Sequence, residues 1–379
     1  MTLPTPADSH TRLCSPADEV ETPAVLVDLD VMDENMARYA AFADEHDVRL
    51  RSHAKTHKTP DLAHYQHRHS DGGGIVCQTL GEVEVMAQNG IDDVYLTYMV
   101  VGDRKLDRLT WLAGKLDSFA TTVDGPGNVR PLQAAAERRG VTVDAVLELD
   151  TGMGRVGAAY EDAVDRAQLV DRQPNLRFAG IMAYEGMIFG EDDVRTPAEY
   201  EARCFEVMDE VEAAVERIEA AGIAVEEVRV GSTATSLYSG KHPVVTEINP
   251  GMYLFNDHNL VRNSPDVSPG NCALTVASTV ISAPTADRVV VDAGSKSICP
   301  DIDLPPMAVG HEGVDYVNAS EEHGWVDVSG SDATFEVGDR IEWIPPHVCT
   351  TVNLHDTLVG TRDGYVEEVW DVQARGKVR

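Results

Sequence analysis

Lysine is nearly missing from this chain. Seven of its 379 residues are lysine against 24 arginines, and the 31 basic side chains face 64 acidic ones, for a formal net charge of −33. A surface of that sign repels phosphate backbones and anionic lipid, which excludes nucleic acid and the membrane surface as expected partners. Excess carboxylate with little lysine suits a protein that stays hydrated in strong salt, where a Debye length of about 3 Å at 1 M screens its charges. A halophilic protein is therefore expected. No apolar run approaches the ~20 residues of a membrane helix. The first twenty residues lack the basic flank and apolar core of a secretion signal. The six cysteines contain no Cys-x-x-Cys pair, so reduced thiols and a cytoplasmic location are expected.

What is present is a repeat. From about residue 22 a short apolar run, a turn and an amphipathic segment follow one another. The apolar runs are 24–29, 48–53, 74–79, 93–100, 118–123, 143–150, 178–185 and 225–232. Between them lie helical patterns, such as 30–45 with Val31, Met32, Met36 and Ala40 on one face. Eight strand-then-helix units fit a closed ring. A doubly wound sheet is the alternative, weakened because no GxGxxG follows the first strand. After about residue 260 the helical patterns stop and short β-rich runs separated by Gly and Pro take over. The expected fold is α/β: a (β/α)8 TIM-type barrel over 21–260 and a C-terminal antiparallel β domain over 261–379. Residues 1–20 are expected to form an arm, either loose or paired with the β domain.

The segment Arg51-Ser52-His53-Ala54-Lys55-Thr56-His57-Lys58 lies at the C-terminal end of the second run, the end where barrels gather catalytic groups. Two of the seven lysines fall here beside two histidines. Clustered cations lower an amine's pKa, and a lysine freed of its proton can attack a carbonyl. A basic surface turn would read the same way.

Thr22-Pro23-Ala24 with Val27-Asp28, followed by His53-Ala54-Lys55-Thr56-His57-Lys58, resembles the pyridoxal-phosphate enzymes of the alanine-racemase-type barrel. Within them it is most similar to the D-threonine aldolase and eukaryotic-type D-serine dehydratase group, from about residue 20 to 375. The resemblance implies that Lys55, not Lys58, carries the cofactor. Gly231-Ser232-Thr233-Ala234-Thr235-Ser236 ends the last run and opens a helix, whose free N–H groups suit a phosphate. The Pro-Gly turn at 250–251 then completes the cradle, implicating Thr233, Gly251 and Met252. Arg155, in Asp150-Thr151-Gly152-Met153-Gly154-Arg155, takes the role of contacting the ring hydroxyl. The resemblance also implies that Tyr184 lies beside the ring nitrogen, and Gln78 is a further candidate for a ring contact. Alanine racemases carry an arginine just before the Pro-Gly turn. This chain has Asn249, which argues against racemase chemistry.

His347 and Cys349 follow the run 339–346. An alternating strand would put both on one face about 6.6–7 Å apart. Imidazole plus thiolate favours zinc, with manganese or magnesium as alternatives, and two ligands leave open positions for catalysis. A core cysteine beside a chance histidine fits the spacing too. In the resembled group a divalent ion sits on His-x-Asp or His-x-Cys in the β domain, the cysteine form mainly in dehydratases. His355 is either a supporting group or without a role.

The expectation is thus a PLP- and metal-dependent lyase acting on a D-β-hydroxy amino acid, of the D-serine or D-3-hydroxyaspartate dehydratase type. D-threonine-aldolase-type cleavage, with His57 as base, is the alternative. A racemase or a non-catalytic PLP-binding protein ranks lower. Barrels of this type pair so that one chain's β domain covers the other's mouth, so a homodimer is expected.

Overall fold

The computed structural model describes residues 11–69 and 73–379. Its parallel strands run Ile75–Cys77, Asp93–Leu96, Ser118–Val123, Val143–Leu149, Leu176–Ala183, Val228–Val230 and Glu247–Ile248. One further strand is interrupted at Arg51 into Arg49–Leu50 and Ser52–His53. Its first half pairs with Glu247–Ile248 and its second half with Ile75–Cys77, which closes the ring at eight positions. Val76, Tyr95, Ala120, Val146 and Met182 pack together as a small core of their own.

One of the expected strands changes place, and an unexpected one takes its position. Ala24–Asp28 is not a barrel strand: it lies between Leu274–Thr285, antiparallel, and Thr357–Arg362, parallel, in the second sheet. Val25 and Val27 join the main core while Leu26 joins a separate small core on the other side. A strand covered on both faces reads as a continuous apolar run whichever sheet receives it. The vacant barrel position is filled by Glu247–Ile248, two residues too short to register as a run. Lys55 therefore follows the first barrel strand, Gly231 the seventh, and the Pro-Gly turn the eighth.

Local signals set the helices. Asp28 accepts from the N–H groups of Asp30 and Val31 and starts Leu29–His46, which buries Met32, Met36, Tyr39 and Ala43 along one stripe. Thr79 with Glu82, and Thr196 with Glu199, form capping boxes at Leu80–Gln88 and Pro197–Ala220.

The second sheet combines Ala24–Asp28 with Leu274–Thr285, Arg288–Val291, Met307–Ala308, Asp315–Ala319, Gly324–Asp327, Arg340–Ile344, Thr357–Arg362 and Tyr365–Asp371. Every pairing among these is antiparallel except that of Ala24–Asp28 with Thr357–Arg362. Of the expected arm, residues 1–10 lie outside the described residues. Cys14 donates to the Val366 carbonyl at 2.7 Å and Ala17 to that of Gly364 at 2.8 Å, so this stretch runs along the sheet. Among the described residues no helix is long and apolar enough to cross a membrane.

Candidate active site

The C-terminal ends of the barrel strands and one corner of the second sheet enclose a cavity of about 330 Å³. Lys55, Gln78, Arg155, Tyr184, Thr233, Gly251, Met252, His347 and Cys349 all line it, as do His53, Thr97, Glu148, Met182, Gly231, Ser232 and Asn249. Nine of the ten residues singled out in the sequence thus converge from seven separate stretches of chain.

The exception is His57, which is fully buried outside the cavity lining. One ring nitrogen meets Gln66 Oε1 at 3.1 Å and the other accepts from the Thr59 N–H at 3.1 Å. Burial pulls its pKa down to about 4. It holds the turn after Lys55 and is no part of the cavity lining, so the expected base role does not fit this residue. The histidine that does line the cavity is His53. Its Nδ1 accepts from the Lys55 N–H at 3.3 Å and its Nε2 meets Gln78 Oε1 at 3.2 Å. Burial, with Lys55 adding to it, drives its pKa well below 6.5, so the ring stays neutral.

Lys55 is enclosed by protein, and burial lowers its pKa while the Cys349 sulfur opposes the shift and Arg155 adds to it. An amine with a weakened hold on its proton is a carbonyl nucleophile. Lys58 is tied up instead: its ammonium pairs with buried Glu82. Glu82 also accepts from the backbone N–H of Gln78 at 2.6 Å, which fixes that wall residue.

Arg155 stands 4.6 Å over the Tyr184 ring and 3.7 Å from the Glu148 carboxylate. Burial pushes Glu148 up to about 7 against the pull of Arg155. Asn249 donates to the Arg51 carbonyl at 3.2 Å and to Glu247 at 3.0 Å, while its own carbonyl oxygen is buried with no partner among the described residues. Across the floor, a Cβ on Gly251 would stand 3.0 Å from Thr56 Oγ1 and 3.1 Å from His53 Cβ. The Pro-Gly turn can pack this closely on the end of the first barrel strand only because no side chain intervenes. Thr233 Oγ1 accepts from the Tyr253 N–H at 3.1 Å, joining the two loops. Beneath them Glu185, with no exposed surface, accepts from Thr235 Oγ1 at 2.9 Å, Ser239 Oγ at 2.8 Å and the Gly231 N–H at 3.4 Å.

These features fit pyridoxal phosphate: an amine with a depressed pKa, a small-residue floor with hydroxyls for a phosphate, and an orphan acceptor in the wall. A divalent ion fits the donor pair at the other side. His347 and Cys349 do not sit on a strand as expected. The strand ends at Ile344, Pro345 and Pro346 cannot donate to its ladder, and His347 is the N-cap of the short helix Val348–Val352. Asp257 accepts from the Val348 N–H at 3.0 Å and from the Leu260 N–H at 2.9 Å, so one buried carboxylate pins this helix to the barrel. The His347 and Cys349 side chains line the same wall, and Thr56 Oγ1 lies 3.3 Å from the Cys349 sulfur. Burial pulls the His347 imidazole down, but the Cys349 sulfur and the Asp301 and Asp257 carboxylates outweigh it and push it up to about 9. An imidazole and a sulfur on one wall of the cavity are a ligand pair that a metal ion can take up. His355 lies outside the cavity lining and meets the Ser297 carbonyl at 2.8 Å. Another ligand-type cluster among the described residues, Asp209, Glu212 and His242, also lies outside it.

Comparison with known proteins agrees with this geometry. Residues 27–259 match the family "Alanine racemase, N-terminal domain" and residues 273–361 the "Putative serine dehydratase domain". A 3-hydroxy-D-aspartate aldolase of Paracoccus denitrificans is 34% identical, covering 95% of this chain and 93% of that protein. A D-threonine aldolase of Arthrobacter sp. is also 34% identical, covering 99% and 97%. A D-threo-3-hydroxyaspartate dehydratase of Delftia sp. is 28% identical, covering 88% and 92%. Among solved structures, the D-threonine aldolase of Filomicrobium marinum superposes with a TM-score of 0.91 at 34% identity, covering 97% of this chain and all of that one. The chain belongs to the family of pyridoxal-phosphate-dependent lyases that join an alanine-racemase-type barrel to a serine-dehydratase-type domain.

Proposed function

We propose that this enzyme cleaves D-3-hydroxy amino acids by a retro-aldol reaction, giving glycine and an aldehyde. The observation that carries this reading is the single cavity in which Lys55 and neutral His53 face His347 and Cys349, in a chain 34% identical to two aldolases. Cys349 had favoured dehydration to a keto acid and ammonia. That remains the second reading, because a dehydratase is among the relatives, at 28% identity. Metal dependence has further support: a cysteine mutant of the related dehydratase is described in a metal-free form.

In this reading Lys55 holds the cofactor, Gln78, Arg155 and Tyr184 face its ring, and Thr233, Gly251 and Met252 receive its phosphate. Bound there, pyridoxal phosphate supplies an electron sink for the pair left at the α-carbon, and a divalent ion on His347 and Cys349 supplies positive charge beside the 3-hydroxyl. His53 replaces His57 as the group that accepts the hydroxyl proton as the Cα–Cβ bond breaks. Lys55 then returns a proton to the glycine carbon. We assign cofactor binding to the barrel up to about residue 260 and ion binding to the part beyond it. Zinc suits the imidazole–thiolate pair best. The charge of −33 and six unpaired cysteines support a protein of a salty cytoplasm, and we infer that it works as a homodimer. Supplying D-threonine and D-3-hydroxyaspartate separately, and measuring glycine with aldehyde against keto acid with ammonia, tests the reading. Keto acid and ammonia alone would transfer it to the dehydratases.

A further inference from the structure

We propose that Asp301 is the positioning residue of the ion site: it holds the His347 ring so that Nε2 faces the ion. This rests on reading His347 and Cys349 as ligands, and it adds a residue that neither the spacing nor the comparisons point to.

Asp301 lies in the loop between Arg288–Val291 and Met307–Ala308, 46 positions before His347. Its Oδ2 meets His347 Nδ1 at 2.7 Å. Its Oδ1 accepts from the Thr350 hydroxyl at 3.0 Å. Thr350 lies in the short helix that His347 caps and donates also to the His347 carbonyl, at 3.2 Å. Each carboxylate oxygen therefore has a partner, one on the His347 ring and one on the helix it caps, which is the arrangement of a brace. A carboxylate at Nδ1 keeps the proton on that nitrogen, leaves the Nε2 lone pair free and makes it a stronger donor. It also fixes the ring about its bond to Cβ, a torsion that the extended N-cap backbone of His347 leaves open. Backbone and ring are thus set separately, the first by Asp257 through Val348 and the second by Asp301. With only two protein ligands, a misoriented ring would remove half of the ion's hold on the protein.

The test uses the full-length protein, stripped of metal, with zinc or manganese alone as the probe and a competing fluorescent chelator to read Kd. Asp301→Ala is expected to weaken binding roughly 10- to 100-fold. Asp301→Asn, whose carbonyl still accepts from Nδ1 but carries no charge, should fall between it and the parent. Thr350→Val should move Kd in the same direction by less. Two readouts separate positioning from damage to the fold. The Tm of the metal-free variants should match that of the parent, and saturating cobalt should still give a thiolate charge-transfer band. Parent-like Kd in Asp301→Ala would overturn the proposal, as would a metal-free Tm that falls in step with the affinity. If the parent protein itself takes up neither zinc nor manganese, the ligand pair falls and Asp301 falls with it, an outcome distinct from the other two.

Discussion

The buried carboxylate under the loop that starts at Gly231 allows a quantitative test. Glu185 has no exposed surface, and burial raises its pKa from 4.5 to about 7 even though Thr235, Ser239 and the Gly231 N–H donate to it. Between those two values the folded protein keeps a proton that the unfolded chain has released. Stability conferred by this group is therefore complete below about pH 4.5, falls as pH rises, and is lost above about 7. At 1.36 kcal/mol per unit the shift corresponds to a loss of about 3 kcal/mol across that window. Glu185→Gln removes the titration but not the volume. Its amide presents donors where the loop also presents donors, so the variant should be less stable by ~1–3 kcal/mol in the acid range. It should recover relative to the parent as pH rises. Urea unfolding followed by tryptophan fluorescence, at about pH 5.5 and about pH 8 for both proteins, gives the double difference. Glu148 and Asp257, whose pKa values are also raised, cancel in that difference. If parent and variant lose stability equally between the two pH values, Glu185 does not titrate in the folded protein, and the account of the loop resting on a buried acid is wrong.

Borohydride reduction followed by peptide mapping should place the pyridoxyl group on Lys55, and Lys55→Ala should lose it. Lys58 should stay unlabelled because Glu82 holds its ammonium. His53→Gln should lower kcat by about 100-fold or more. His57→Gln should keep most of kcat and show its cost in Tm instead, the opposite of what the sequence alone suggests. Gly251→Ala should weaken cofactor binding by ~1–3 kcal/mol, read by spectral titration, since the new methyl stands 3.0 Å from Thr56 Oγ1.

Much of this architecture is legible in the residue order. The stripe of Met32, Met36 and Ala43 repeats at helical spacing. The barrel strands from Ile75–Cys77 to Val228–Val230 appear as apolar runs, and the rarity of lysine makes Lys55 conspicuous. What was misread has physical causes. Ala24–Asp28 is covered on both faces, as a barrel strand is, and nothing local distinguishes a parallel sheet from a mixed one. Glu247–Ile248 contributes two residues, one of them charged, so no hydrophobic pattern announces it. His53 and His57 stand two places either side of Lys55. The strand ends at His53, and where the turn then points each ring depends on packing against Gln78 and Gln66. Asp301 was invisible because its partners come from a helix more than forty residues away. Pro345-Pro346 was a legible stop signal, yet His347 and Cys349 were read as a continuation of the strand it ends.

The placement of Ala24–Asp28 has a consequence for how the chain is made. Leu26 pairs on one side with Thr275 and on the other with Val359, more than three hundred residues downstream. This strand must wait for one made more than three hundred residues later before its slot exists. Until then an apolar strand with two open edges is exposed while the barrel assembles behind it, a recognised route to aggregation. Pairings this distant also slow folding, because the intervening chain must be closed into a loop first. A fragment ending near residue 260 would strand this segment with neither neighbour. A fragment starting there would fold with a gap between Leu274–Thr285 and Thr357–Arg362. The barrel and the sheet are separate in architecture, but through these five residues they are inseparable in biogenesis.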